Sequence, residues 1–439
     1  MGLAGFVGVV VVLLAAAATA IPPLGTEYAR AFEGAPSIDE VRAAAEAHAD
    51  RFDPTLTPVV LVPGMLGSRL MATKDSSYST PYFWCNWGGA ETWEIWLQES
   101  SLLPMLVNCF FYDMQLTIQS NGSMGSRPGL SVYPAGAPGD VYQTMVMGPK
   151  NESDFGMLVM NLTAKGYQVG KNLFGSAYRW RYGPREWARP GGDWDQLVRV
   201  VEMASAANGG RPVSLVTISM GAPYLNVFLQ RHVSQAWKDR YVRAAMLMSG
   251  VLGGSSSAVI EFTTGNNWGV SWIWNSQVRD LARTWPGVYF LTPSEPLWGD
   301  VPYVMTPDRN YSAAEFPELL QEMGATEVPL DYVAEMLGDT YVVDGPGVEV
   351  FCFYGYNVPT PYQLQYNVPA SKISDTLPVH TTLSDGDGTV TRFGLTACER
   401  WENNANRTVT AKAFANVNHV QFLTDPALTE EVADLLASL

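Results

Sequence analysis

Five strand-like runs stand out along the chain, at 58–62, 212–218, 243–249, 348–354 and 409–417, each short enough for a single strand. Between most of them lie longer stretches of helical character. Their alternation with helical segments predicts a mostly parallel sheet. Two segments interrupt the rhythm. Residues 78–118 carry clustered aromatics, and 252–340 mix apolar, Gly-rich and helical stretches. These are expected to be insertions on one elaborated domain spanning 57–439. Residues 21–56 are Ala-rich and expected to be partly helical. Residues 1–20 are apolar and end in Ala18-Thr19-Ala20, a small-x-small pattern expected of a cleaved signal peptide.

The run 212–218 leads into Ser219-Met220-Gly221 and then a helix-compatible stretch. That layout predicts a nucleophile elbow, in which a tight strand-to-helix turn exposes a serine hydroxyl above the sheet. A serine hydroxyl needs a base before it attacks a carbonyl. The chain offers 4 histidines: His48, His232, His380 and His419. His48 falls in an alanine-rich helical stretch, and His232 lies too far along the helix leaving the elbow. In this architecture the order is serine, then acid, then histidine. Asp385 and Asp387 sit in a Gly-rich loop, and only His419 follows them, where a strand-like run breaks into a turn. From the residues alone either aspartate fits. A second Gly-rich turn, Pro63-Gly64-Met65-Leu66-Gly67, ends the first strand. The main-chain N–H groups of Met65 and Met220 are the expected oxyanion donors.

Together these pieces resemble the lecithin:cholesterol acyltransferase family, near its lysosomal phospholipase A branch. The matching residues are Pro58-Val-Val-Leu-Val-Pro-Gly-Met-Leu-Gly, Trp93-Glu-Ile-Trp-Leu, Tyr178-Arg-Trp-Arg, Ser219-Met-Gly, Gln235-Ala-Trp-Lys-Asp-Arg-Tyr, Pro346-Gly-Val-Glu-Val-Phe-Cys-Phe-Tyr-Gly, Pro359-Thr-Pro, Asp385-Gly-Asp-Gly-Thr-Val and Asn418-His419. The resemblance implies an α/β-hydrolase fold, with 78–118 as a membrane-binding insertion and 252–340 as cap and lid. It favours Asp387 over Asp385 as the acid. It matches Trp96 to a tryptophan that contacts the acyl chain, and the stretch from Phe262 through Trp268, Trp272 and Trp274 to Trp285 to a lid. It also implies disulfides Cys85–Cys109 and Cys352–Cys398, the pairing that proximity favours among three connectivities. The implied chemistry moves a fatty acyl group from a phospholipid to the serine, then to water or a lipophilic alcohol of sterol or ceramide type. Two other readings stay open: a neutral-lipid lipase or phospholipid:diacylglycerol acyltransferase, and a non-catalytic lipid-binding glycoprotein. The elbow departs from the family in Thr217 and Ile218, where Gly or Ala and His are usual. Ser249-Gly-Val-Leu-Gly-Gly also replaces the usual Gly-Ala-Pro-Trp-Gly-Gly.

Composition narrows the setting. With 27 basic and 43 acidic residues the formal charge is −16, which argues against nucleic acid as a partner. A phospholipid membrane or lipoprotein surface is the expected partner, reached through aromatic and Leu side chains of 78–118 rather than a basic patch. Four cysteines without a C-x-x-C pair argue against zinc. No cofactor or metal motif is present. Sequons at Asn121, Asn151, Asn161, Asn310 and Asn406 fit a glycoprotein of the secretory pathway, either secreted or held in a lysosomal or vacuolar lumen.

Overall fold

A computed structural model describes residues 35–85, 91–146, 153–267, 272–339, 345–403 and 407–439. The expected signal peptide, sequons Asn151 and Asn406, and Trp268 of the expected lid lie outside the described residues. The central sheet has six strands: β1 (Val59–Val62), β2 (Leu173–Gly175), β3 (Val213–Ile218), β4 (Val242–Met248), β5 (Val350–Tyr356) and β6 (Val409–Ala415). Their spatial order is β6-β5-β4-β3-β1-β2, and every neighbouring pair is parallel. This is an α/β-hydrolase core.

Successive side chains on these strands enter two separate cores, as a period of two demands. Val60, Val62, Leu215, Ala245 and Leu247 face one way. Val59, Leu61, Val216, Ile218, Met246 and Met248 face the other. The second face is covered by α1 (Ile38–Ala47), α2 (Gly156–Ala164) and the C-terminal Pro426–Ser438 helix. Ser37 starts α1 with a capping box: its Oγ accepts from Glu40 N–H at 3.2 Å, and Glu40 accepts from Ser37 N–H at 2.7 Å. The first face packs against α3 (Asp193–Ala207) and α4 (Gly221–Arg231), through Leu197, Val201, Leu225 and Phe228 among others.

Between Tyr78 and Ile118, a strand at Thr92–Trp96 pairs with Leu70–Lys74, and the helix Val107–Met114 is tied back by the Cys85–Cys109 disulfide. Trp93, Trp96, Phe110 and Phe111 are buried, whereas Phe83, Trp84, Leu103 and Met105 are exposed. Half of the cluster is therefore core and half is surface. The second disulfide, Cys352–Cys398, joins β5 to the segment Thr396–Asn403. Segment 252–340 holds α5 (Ser256–Thr263) and α6 (Asn275–Ala282). It also contributes two short strands to a four-stranded sheet with Val358–Gln365 and His380–Gly386. Its aromatic interior, including Phe262, Tyr289, Trp298 and Phe316, is continuous with the core on the first sheet face. No described helix is long and apolar enough to cross a membrane.

Candidate active site

Ser219 sits on the one-residue step from β3 to Met220, the N-cap of α4, with φ at 55°. That left-handed conformation is costly for a residue with a Cβ and marks a sharp turn. The turn is held from several sides. Ser219 N–H donates to the Met248 carbonyl at 3.0 Å, and Val251 N–H donates to the Ser219 carbonyl at 3.3 Å. A Cβ at Gly221 would lie 2.0 Å from Thr217 Oγ1 and 2.7 Å from the Pro63 carbonyl, so glycine is required where α4 meets β1 and β3. Thr217 is thus pressed against α4, and its buried Oγ1 has no hydrogen-bond partner among the described residues. Ile218 points to the opposite sheet face, into the core with Met246 and Met248.

His419 Nε2 stands 2.9 Å from Ser219 Oγ, and His419 Nδ1 stands 2.8 Å from Asp387 Oδ2. The two loops are also joined through the main chain, since His419 N–H donates to the Asp387 carbonyl at 2.8 Å. Asp387 is fully buried. Its second oxygen, Oδ1, accepts from the N–H groups of Thr389 at 3.0 Å and Val390 at 2.8 Å. With Oδ2 accepting from Nδ1–H, the imidazole tautomer leaves Nε2 free to accept the serine proton. Asp385 is exposed and paired with Arg392 at 3.1 Å. His232 is bonded to Asp195 at 2.8 Å, His380 is exposed at a strand start, and His48 ends α1. Sequence reasoning missed Thr360, a buried residue whose Oγ1 accepts from Gly388 N–H at 2.8 Å and pins the acid loop.

The Gly-rich turn after β1 lies directly over the serine. A Cβ on Gly64 would be 3.0 Å from Ser219 Cβ. Gly67 N–H closes the turn onto the Gly64 carbonyl at 3.2 Å, and Leu66 adopts φ 66°. This places Met65 beside Ser219 on the wall of one cavity. Met220 begins α4, where main-chain N–H groups have no acceptor within the helix. Trp96 stands one layer back: its indole N–H donates to the Leu66 carbonyl at 2.6 Å, and its ring packs against Phe110 and Trp180. Behind the turn sits Asp154, whose Oδ2 is 3.0 Å from where a Gly67 Cβ would be. Burial pushes the Asp154 carboxyl up to about 7.

The cavity above Ser219 measures about 170 Å3. Met65, Leu66, Val251, Ala258, Val278, Trp285 and Leu291 make its wall largely apolar. Glu261 is the one ionisable side chain on that wall among the described residues, and burial pushes it up to about 8. Of the expected glycan sites, Asn121 and Asn310 are exposed. Asn161 is half-buried, and its Nδ2, the atom to which a glycan would attach, donates to Thr429 Oγ1 at 3.1 Å. Among the described residues no cluster of His, Cys, Asp and Glu is suited to a metal ion.

Comparison with solved structures agrees on the fold. A chain of the Tle4–Tli4 complex covers 88% of this chain and 98% of its own length, with a TM-score of 0.53 at 12% identity. The class defined by sheet, elbow and loops is the α/β-hydrolase. The lecithin:cholesterol acyltransferase family model matches residues 92–337 and 302–426, and the chain belongs to that enzyme family. Human lysosomal phospholipase A and acyltransferase is 29% identical over 373 residues, covering 84% of this chain and 87% of its own. Rabbit (Oryctolagus cuniculus) phosphatidylcholine-sterol acyltransferase is 27% identical over 384 residues, covering 86% and 84%.

Proposed function

We propose that this protein is a serine-dependent phospholipid acyl hydrolase and O-acyltransferase. The observation that carries the reading is the unbroken chain Asp387–His419–Ser219 opening on an apolar cavity. In the first half-reaction Ser219 Oγ attacks the ester carbonyl while His419 Nε2 takes its proton. Asp387 holds the imidazolium in register and offsets its charge. The main-chain N–H groups of Met65 and Met220 receive the oxyanion. His419 then returns the proton to the departing lysophospholipid oxygen, leaving an acyl-serine ester. In the second half, water or a lipophilic alcohol gives its proton to His419 and attacks the acyl carbon; the bond to Ser219 Oγ breaks, and His419 returns the proton to that oxygen.

The interfacial role is assigned to 78–118. Phe83, Trp84, Leu103 and Met105 are exposed there, and Trp274 is exposed on the neighbouring segment. That segment is tied to it by Trp272 Nε1 donating to the Leu102 carbonyl at 2.8 Å. Burying one such side chain in a bilayer contributes about 1.5–3 kcal/mol, so a few suffice without basic residues. Segment 252–340 supplies most of the cavity wall and is assigned the cap. Two disulfides suit an oxidising lumen.

The test is release of fatty acid from phosphatidylcholine liposomes, with and without an added lipophilic alcohol. Wild-type protein is expected to yield free fatty acid and esterified alcohol, and Ser219→Ala neither. Equal turnover in Ser219→Ala would exclude the mechanism.

A further inference from the structure

The cavity above Ser219 carries a feature that a plain hydrocarbon chain does not require. Ser257, Ala258 and Glu261 share one face of α5, three and four residues apart, and all three line the cavity. Val259 and Phe262 on the same helix are buried in the core. The hydroxyls of Ser255 and Ser257 already donate to the Thr389 carbonyl. Glu261 has no such bond: among the described residues no hydrogen-bond donor or cation meets its carboxyl. A partnerless carboxyl in apolar surroundings costs stability, more so if the occupant of the cavity offers it nothing.

We infer that Glu261 is a specificity-determining residue that makes this cavity a subsite for a hydroxyl group, borne by the acyl chain or by the acceptor alcohol. The inference rests on the acyl-transfer reading above. Burial alone raises the carboxyl to about 8, with no neighbouring charge contributing, so the group is a neutral acid in neutral or acidic surroundings. A neutral acid has one O–H to donate and a carbonyl oxygen to accept. An alcohol answers both at once, accepting from the acid and donating to it. A cation would be matched instead by a carboxylate, which this environment disfavours. An alkyl chain satisfies neither atom, and sites built around a buried polar group reject ligands that leave it unpaired.

The experiment is calorimetric binding to the Ser219→Ala protein, which retains the cavity and does not consume ligand. The probes are decan-1-ol against decane, and a methyl ester of a hydroxylated fatty acid against its unsubstituted counterpart. At least one hydroxylated probe is expected to bind roughly tenfold or more tightly than its match. Adding Glu261→Leu should abolish that preference, and Glu261→Gln, which keeps a donor and an acceptor, should retain most of it. Glu261→Val serves the same purpose as Leu if the larger side chain prevents folding. Preference for decan-1-ol alone identifies the acceptor as the source, and preference for the hydroxy ester alone identifies the acyl chain. No preference in the parent, or the same preference after Glu261→Leu, overturns the inference. Because binding is read without turnover, that failure is distinct from a failure of the catalytic reading, which the liposome assay detects.

Discussion

Trp96 Nε1 donates to the Leu66 carbonyl at 2.6 Å, so an aromatic side chain from the 78–118 segment braces the turn that sets Met65 beside Ser219. The strand Thr92–Trp96 also pairs with Leu70–Lys74, which follows that turn in the chain. The segment assigned to the lipid surface and the turn proposed to hold the oxyanion therefore share one support. Trp96→Phe keeps much of the ring packing against Phe110 and Trp180 and removes only the donor. We expect kcat to fall by about 10–100-fold, since an oxyanion donor is worth on the order of 10²–10³ and the turn is loosened rather than lost. KM for phospholipid and liposome binding should change little. An unchanged kcat would show that the bond does not position Met65.

The two aspartates of the acid loop should separate cleanly. Asp387→Asn leaves a buried amide facing His419 Nδ1 and favours the wrong imidazole tautomer, for an expected loss of about 10⁴ in kcat. Asp385→Asn removes an exposed pair with Arg392, worth at most about 1 kcal/mol, and should retain nearly full activity. Steady-state kinetics on both variants decide between them.

Interfacial binding should be separable from chemistry. Phe83→Asp and Met105→Asp place charges at side chains that are 91% and 76% exposed, so neither should unfold the protein. Co-sedimentation with neutral liposomes is expected to drop at least tenfold, as the loss of one inserted side chain at about 1.5–3 kcal/mol implies. Hydrolysis of a water-soluble short-chain ester should stay within about twofold. Loss of both activities together would place these residues in the fold rather than at the lipid surface.

Asp154 ties stability to pH. Its carboxyl is raised by burial from 3.8 to about 7, so the native state holds a proton that the unfolded chain releases. Its contribution is complete below about pH 4 and is lost as pH rises toward 7. Melting temperature is therefore expected to fall across that window, and Asp154→Asn should flatten the fall and stabilise the protein at pH 8. A profile identical to wild type would mean that Asp154 does not titrate as described.

Four of the central strands are readable because strands buried on both faces are nearly all apolar, whereas β6 is largely exposed and carries Thr410 and Lys412; the five expected runs lie within two residues of five of the six strands. Strand β2 escaped because Leu173-Phe174-Gly175 is too short to carry a periodic signal. In the sheet formed by Val304–Met305, Asn310–Tyr311, Val358–Gln365 and His380–Gly386, Val304 pairs with Leu364 and Met305 with Gln365, and no local pattern encodes that pairing. The strand–Ser-Met-Gly–helix pattern singles out Ser219 as the candidate, and chain order with elimination singles out His419. The choice of Asp387 needed more, because its burial depends on the turn that aims Thr389 N–H and Val390 N–H at it. Glu261 was invisible, lying in the apolar stretch Ala258-Val-Ile-Glu-Phe, where a charge reads as the solvent side of a helix.

The most direct measurement is the mass of the Ser219 peptide after brief mixing with phosphatidylcholine liposomes and acid quench. A fatty acyl ester on Ser219, absent from Ser219→Ala and accumulating when His419 is replaced only if the first half-reaction survives, is the result expected. Fatty acid released at full rate with Ser219 never acylated would contradict an acyl-serine route.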